Sequence, residues 1–197
     1  MKLLVISSHG RCGTTIVQTI WANKLNLNML GEGIILDSGE SEFKKSIGRL
    51  TMEKNWACKL FFDEYPSDLP KYNPTDIVEL VNPDLIINSY RKDLLEQFLS
   101  WHISYNSTHW NSENKEKYKK FKIEDVEEKV KTFHRIDKEY QNALQQLSHK
   151  FKIINIAYED IDVNEYKGKF VKQNTKEEKM NLIDNMPEVL ESWRKYD

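Results

Sequence analysis

A short apolar run that passes straight into a glycine-rich turn constrains this chain more than any other feature. Leu3-Leu4-Val5-Ile6 leads into Ser7-Ser8-His9-Gly10-Arg11-Cys12-Gly13-Thr14-Thr15. The run reads as a buried strand over residues 2–7. Ile16, Val17, Ile20, Trp21 and Leu25 then follow at helical spacing and predict a helix over 14–25. A strand, a glycine turn and a helix in that order present backbone N–H groups and the positive end of the helix to an anion, usually a phosphate. A Walker loop would end in Gly-Lys-Ser/Thr, with the lysine on the outer phosphates and the hydroxyl on magnesium. Here Thr14 follows Gly13, and the long cation, Arg11, precedes that glycine. The turn can hold a phosphate, but it is not built as an ATPase or GTPase loop. The competing reading is an ordinary strand–helix turn with threonine as the cap.

The rest of the chain extends the alternation. Residues 27–30, 56–62, 85–90 and 151–157 read as strands. Helices are expected near 40–50, 76–81, 93–105, 124–149 and from Pro187 onwards, with extended residues near 168–173. In the long helix Val126, Val130, Phe133, Ile136 or Asp137, Tyr140, Leu144 and Leu147 recur at spacings of three and four. Strands alternating with helices imply an α/β fold in three layers, with a central parallel sheet covered on both faces. Ligands in such folds lie at the carboxyl ends of the strands. A length of 197 residues suits one domain, or one domain with an appended lobe.

Bulk properties exclude several classes. A net charge of −2 argues against a dedicated nucleic-acid binder. The Lys115–Lys122 run reads as a solvated face. No stretch of about 20 apolar residues is present and no secretory leader is evident, so no membrane span and a cytoplasmic location are expected. The two cysteines, Cys12 and Cys58, do not form a disulfide framework. No His, Cys, Asp or Glu group has metal-ligand spacing, so no metal is expected. Cys58 reads as a small buried hydrophobe. His9 adjoins the turn. His102 and His109 flank an aromatic segment, Trp101 to Trp110, whose rings would suit a sugar or apolar acceptor, or simply fill a core. Exposed aromatic residues also leave room for a homodimer.

A second constellation is Ser89-Tyr90-Arg91-Lys92-Asp93-Leu94-Leu95-Glu96-Gln97-Phe98-Leu99-Ser100-Trp101. Arg91 follows a strand directly, and Ser100 lies about two turns into the next helix. With Leu94, Leu95, Phe98 and Trp101 as the buried stripe, Ser100 is expected to face a cleft. An arginine fork and a serine hydroxyl could then converge on one anion. One loop for a terminal phosphate plus a separate Arg/Ser pair suits a nucleotide with phosphates at both ends.

This pairing resembles the sulfotransferases that use 3′-phosphoadenosine 5′-phosphosulfate, and their P-loop-like fold. Arg11-Cys12-Gly13-Thr14-Thr15 is similar to their Lys/Arg-Ser-Gly-Thr-Thr loop, which holds the 5′-phosphosulfate. Arg91 and Ser100 are similar to the pair that holds the 3′-phosphate. The form Arg-Lys-Asp-x-Leu-x-Gln-x-Leu-Ser-Trp looks closest to bacterial carbohydrate sulfotransferases of the nodulation-factor and trehalose type. Weaker likenesses are Trp56-Ala57-Cys58-Lys59-Leu60, Ile156-Ala157-Tyr158-Glu159-Asp160-Ile161, and Lys172-Gln173-Asn174-Thr175.

The resemblance implies sulfuryl transfer to a small hydroxylated acceptor such as a sugar. It implies Lys59 and Arg11 as stabilising cations, Tyr158 near the adenine, and Lys172 and Gln173 over the nucleotide. Glu32, in a Gly-Glu-Gly turn, is the expected base. Two departures stand out. Ile16 replaces an adenine-stacking tryptophan, and Phe61 replaces the histidine base of the cytosolic enzymes. A small nucleotide or metabolite kinase, and a degenerate binding protein of the same fold, are the alternatives.

Overall fold

The computed structural model describes residues 1–31, 39–62, 73–106, 119–166 and 175–197, with backbone alone for 39–43 and 163. The chain forms two compact units. The first comprises Met1–Lys92 and Glu139–Lys167, and the second Asp93–Lys138 and Gly168–Asp197.

Among the described residues the first unit holds a five-stranded sheet. Its strands are β1 (Lys2–Ser7), β2 (Asn28–Met29), β3 (Trp56–Phe61), β4 (Leu85–Tyr90) and β5 (Ile153–Ala157). They are ordered β2-β3-β1-β4-β5 and every pairing is parallel. The register sets Leu3 opposite Ala57 and Leu85, and Ile6 opposite Leu60 and Asn88. Side chains alternate across a strand, so β1 feeds both faces. Leu3 and Val5 join Val17 and Ala22 of α1 (Thr14–Leu25) in one core. Leu4 and Ile6 join a second core on the other face. That core contains Leu50 of α2 (Gly39–Met52), Ile77, Val78 and Val81 of α3 (Pro74–Val81), and Tyr140 and Leu147 from α5 (Val126–Ser148). These are the three layers the alternation implies. Each such side chain, fully buried, contributes about 1.5–3 kcal/mol.

Helix boundaries follow local chemistry. α3 begins at Pro74, two residues before the expected 76, because Asn73 and Asp76 form a reciprocal capping box and proline fits the first turn. On α1 the buried face is Thr14, Val17, Gln18, Ile20 and Ala22. Ile16, Trp21 and Leu25, expected on that face, are half-buried.

The second unit contains α4 (Leu94–Asn106), the amino-terminal part of α5, α6 (Lys176–Met180) and α7 (Met186–Trp193). Its core is Phe98, Leu99, Val126, Val130, Phe133, Ile183, Met186, Val189 and Trp193. Phe121 and Ile183 pair as a single bridge. Asn185 imitates a further strand partner, since its amide exchanges two 2.9 Å hydrogen bonds with the backbone of Ile123. Two ion pairs join α6 to the start of α4, Lys176–Asp93 at 2.5 Å and Lys179–Glu96 at 2.6 Å, the latter around a buried lysine. α6 is absent from the sequence expectation. The expected extended residues 168–173 lie outside the described residues.

His102 on α4 is buried against the rings of Phe98 and Trp101. Its Nε2 has no hydrogen-bond partner among the described residues. Burial, with Lys129 adding repulsion, pulls its pKa from 6.5 down to about 4. The unfolded chain takes up this proton first, so stability falls as pH drops from about 6.5 to about 4. The loss expected from this one group is about 3 kcal/mol. Urea denaturation at pH 7 and pH 4.5 should therefore show a smaller acid loss in His102→Leu than in the parent chain. Equal losses would remove His102 as a cause.

Candidate functional site

The loop between β1 and α1 lies where the sheet changes direction. The chain leaves β1 through α1 on one face, whereas the crossovers through α2 and α3 run the other way on the opposite face. Such a switch point opens a crevice at the carboxyl ends of the strands.

Two residues of the loop, Arg11 (φ 69°) and Gly13 (φ 73°), adopt the left-handed region on either side of Cys12. Alternating handedness of this kind curls a backbone into a concavity lined by N–H groups. Gly13 is the N-cap of α1 and no side chain caps the helix among the described residues. Threonine as cap, the competing reading of this turn, therefore does not describe it. Thr14 is the first helical residue and is buried, while Thr15 is exposed.

Side chains from the sheet hold the loop from behind. The His9 carbonyl accepts from Ser7 Oγ at 2.6 Å and from Cys12 Sγ at 3.3 Å. The Arg11 carbonyl accepts from Arg91 Nε at 2.8 Å, and the Cys12 carbonyl from Ser89 Oγ at 2.6 Å. Gly13 is closed on by Tyr158. A Cβ there would lie 2.6 Å from the tyrosine ring and 3.0 Å from Ile161. The Arg91 guanidinium in turn sits 4.1 Å from the centre of that ring. Arg91 is 3% exposed.

A second cation comes from β3. Lys59 is 8% exposed, and its Nζ donates to Thr15 Oγ1 at 3.0 Å. A Walker loop carries its lysine next to the glycine. Here a neighbouring strand supplies an ammonium at the same helix start. Gln18 on α1 donates to the carbonyls of Gly31 (3.2 Å) and Ala57 (2.8 Å), and the Lys59 amide also donates to Gly31. These bonds fix the chain up to Gly31. Glu32, the residue that follows, lies outside the described residues, as do Lys172 and Gln173.

Of the sequence-derived site residues, Arg11, Cys12, Gly13, Thr14, Thr15, Lys59, Arg91 and Tyr158 therefore belong to one constellation of the first unit. Ser100 belongs to the second unit. It is buried on α4. The stripe expected to carry α4 is different: Gln97, Phe98 and Leu99 are buried, while Leu94, Leu95 and Trp101 are half-buried. Ser7 and Ser89 lie inside the two runs that the sequence singles out, but no role attaches to them there. Their signal was two hydroxyls at the carboxyl ends of strands otherwise made of apolar residues. Cys58 is buried in β3, and burial pushes its thiol well up. No group of three metal-ligating side chains occurs among the described residues. No helix among them is long and apolar enough to cross a membrane.

No known family model matches the chain, and no curated protein does. A solved structure of similar fold is that of the YorR protein from Bacillus subtilis, crystallised in complex with phosphorylated GDP. It is 10% identical and aligns over 83% of this chain and 90% of its own, with a TM-score of 0.50. At that identity the likeness shows the fold: a parallel α/β sheet of P-loop-like type.

Gly13 tests the packing of the loop. Gly13→Ala should lower the unfolding free energy by about 2 kcal/mol, from the left-handed backbone and the clash with Tyr158 together. In a Tyr158→Ala background the same substitution should cost closer to about 1 kcal/mol, the share owed to the backbone. Denaturation curves of the four proteins measure both. An unchanged midpoint in Gly13→Ala would refute the tight contact.

Proposed function

We propose that the chain binds a phosphorylated nucleotide at the β1–α1 loop and transfers a sulfuryl group from 3′-phosphoadenosine 5′-phosphosulfate to a hydroxyl acceptor. The observation that carries this reading is a glycine-capped helix start with Lys59 Nζ delivered to Thr15 and no Walker lysine in the loop. Backbone amides, two threonine hydroxyls and two cations in one place suit a phosphosulfate. The family resemblance of the Arg11–Thr15 and Arg91–Trp101 runs chooses the sulfuryl donor over other phosphates.

In this reading the acceptor oxygen attacks sulfur in line. The bond from sulfur to the 5′-phosphate oxygen breaks, and the nucleotide leaves as adenosine 3′,5′-bisphosphate. Glu32 takes the acceptor proton. Arg11, Lys59 and the loop amides offset the charge that gathers on the departing oxygen. Arg91 faces the 3′-phosphate through the guanidinium nitrogens other than Nε, which holds the Arg11 carbonyl. The Tyr158 ring supports Arg91 and Gly13 on one side, so its adenine contact falls to the rest of the ring. The acceptor is a small hydroxylated molecule, a sugar among the candidates.

A second reading is phosphoryl transfer from a nucleoside triphosphate. It is favoured by Lys59, which stands where a kinase needs a cation, and by the nucleotide in the YorR structure. Calorimetry with adenosine 3′,5′-bisphosphate, ADP, ATP and GDP, each with and without magnesium, separates the two. Magnesium-independent preference for the bisphosphate is expected. Preference for a triphosphate with magnesium would replace sulfuryl transfer by phosphoryl transfer.

Two substitutions sharpen the assignment. Arg91→Ala should weaken the bisphosphate roughly tenfold or more, since a charge-assisted contact is lost. Glu32→Gln should slow turnover by about 100-fold while leaving nucleotide affinity unchanged. Turnover at the parent rate in Glu32→Gln would show that another group is the base.

A further inference from the structure

A trans peptide is planar, so its carbonyl and the N–H of the next residue point in opposite directions. Whatever holds the carbonyl of one residue therefore aims the N–H of the next. In this loop the carbonyls of Arg11 and Cys12 are both drawn toward β4, by Arg91 Nε and Ser89 Oγ. The amides of Cys12 and Gly13 consequently turn away from the sheet edge, to the side where the helix start opens. The first of these bonds belongs to a residue already assigned to the nucleotide. The second belongs to Ser89, which is fully buried and has no other role in the site.

We infer that Ser89 is a positioning residue for the anion-binding loop, and that its hydroxyl sets the direction of the Gly13 amide. The inference rests on the reading that this loop holds the 5′ end of a nucleotide. Its physical basis is the freedom of the peptide between Cys12 and Gly13. Gly13 has no Cβ, so reversing that peptide meets little steric resistance from the residue itself. A reversed peptide would offer an anion a carbonyl oxygen in place of an N–H. The Tyr158 ring limits where Gly13 can move, but contact with a ring does not select one orientation of the peptide plane. The bond from Ser89 Oγ makes that selection across 77 residues of sequence, at a length of 2.6 Å. Ser7 acts in the same way earlier in the loop, where its hydroxyl holds the His9 carbonyl and so directs the Gly10 amide. Ser7 is the last residue of β1 and Ser89 the last but one of its parallel neighbour β4. The sheet thereby orients a loop that lies beyond it.

The test compares two ligands on the full chain. Adenosine 3′,5′-bisphosphate uses the loop, whereas adenosine 3′-phosphate has no group to place there. Ser89→Ala should bind the bisphosphate about tenfold more weakly and leave the 3′-phosphate affinity unchanged. Ser89→Cys keeps the shape with a weaker donor and should fall between. Thermal midpoints of the unliganded proteins, measured alongside, show that both variants fold. Equal bisphosphate affinity in Ser89→Ala and the parent would overturn the inference and leave the nucleotide reading intact. Equal weakening of both ligands would also overturn it, since a general loosening of the site would then account for the loss. If the parent chain bound neither nucleotide, the reading of the loop would fail, and the role of Ser89 with it.

Discussion

The β1–α1 loop is shaped by the side chains that take three of its carbonyl groups. A turn of six residues carries as many acceptors as donors, and an untethered one would present both. Ser7, Ser89 and Arg91 resolve this by taking the carbonyls of His9, Cys12 and Arg11. All three stand at the carboxyl ends of β1 and β4. Their positions follow from the sheet register, which in turn follows from the alternation of Leu3, Leu4, Val5 and Ile6 between two cores. A slip of one residue between β1 and β4 would carry every side chain to the wrong face and leave the loop acceptors without these donors. Core packing and electrostatics are thus a single constraint here.

The same sheet brings a cation to the helix start from outside the loop. Lys59 pairs in register with Val5, on the face that α1 covers, two residues before the end of β3. A side chain of that length reaches the helix start while its stem stays in the apolar layer. The bond to Thr15 gives the ammonium a partner at the helix start, where burial of an unpaired charge would be costly.

Much of this was legible in the sequence. The five strands, the helix after the loop and the long α5 stripe are periodic signals, and periodicity reports burial directly. Val126, Val130, Phe133, Tyr140 and Leu147 are buried, while Ile136 and Leu144 of the same stripe are half-buried. The loop was legible because glycine and threonine after an apolar strand have a local meaning. What could not be read is non-local. Ser89 meets Cys12 across 77 residues, and Lys176 and Lys179 meet Asp93 and Glu96 across 83. No window of sequence contains both ends. α6 escaped notice for the same reason: five residues, four of them charged, have no stripe of their own and stand because α4 offers carboxylates. The burial of Gln97, Ser100 and Ser104 on α4 was not legible either, because an apolar stripe does not reveal the polar members of a buried arc.

The second unit is assembled from two stretches of chain that are far apart in sequence. Phe98, Leu99, Val130 and Phe133 come from the earlier stretch, and Ile183, Met186, Val189 and Trp193 from the later. All five strands of the sheet are contained in the first 157 residues. On a ribosome all five strands can therefore emerge before the later half of the second core does. Until Trp193 emerges, the phenylalanines of α4 and α5 have no cover from α7. That interval, rather than the sheet, is where a nascent chain of this design is most exposed to aggregation and to chaperone capture.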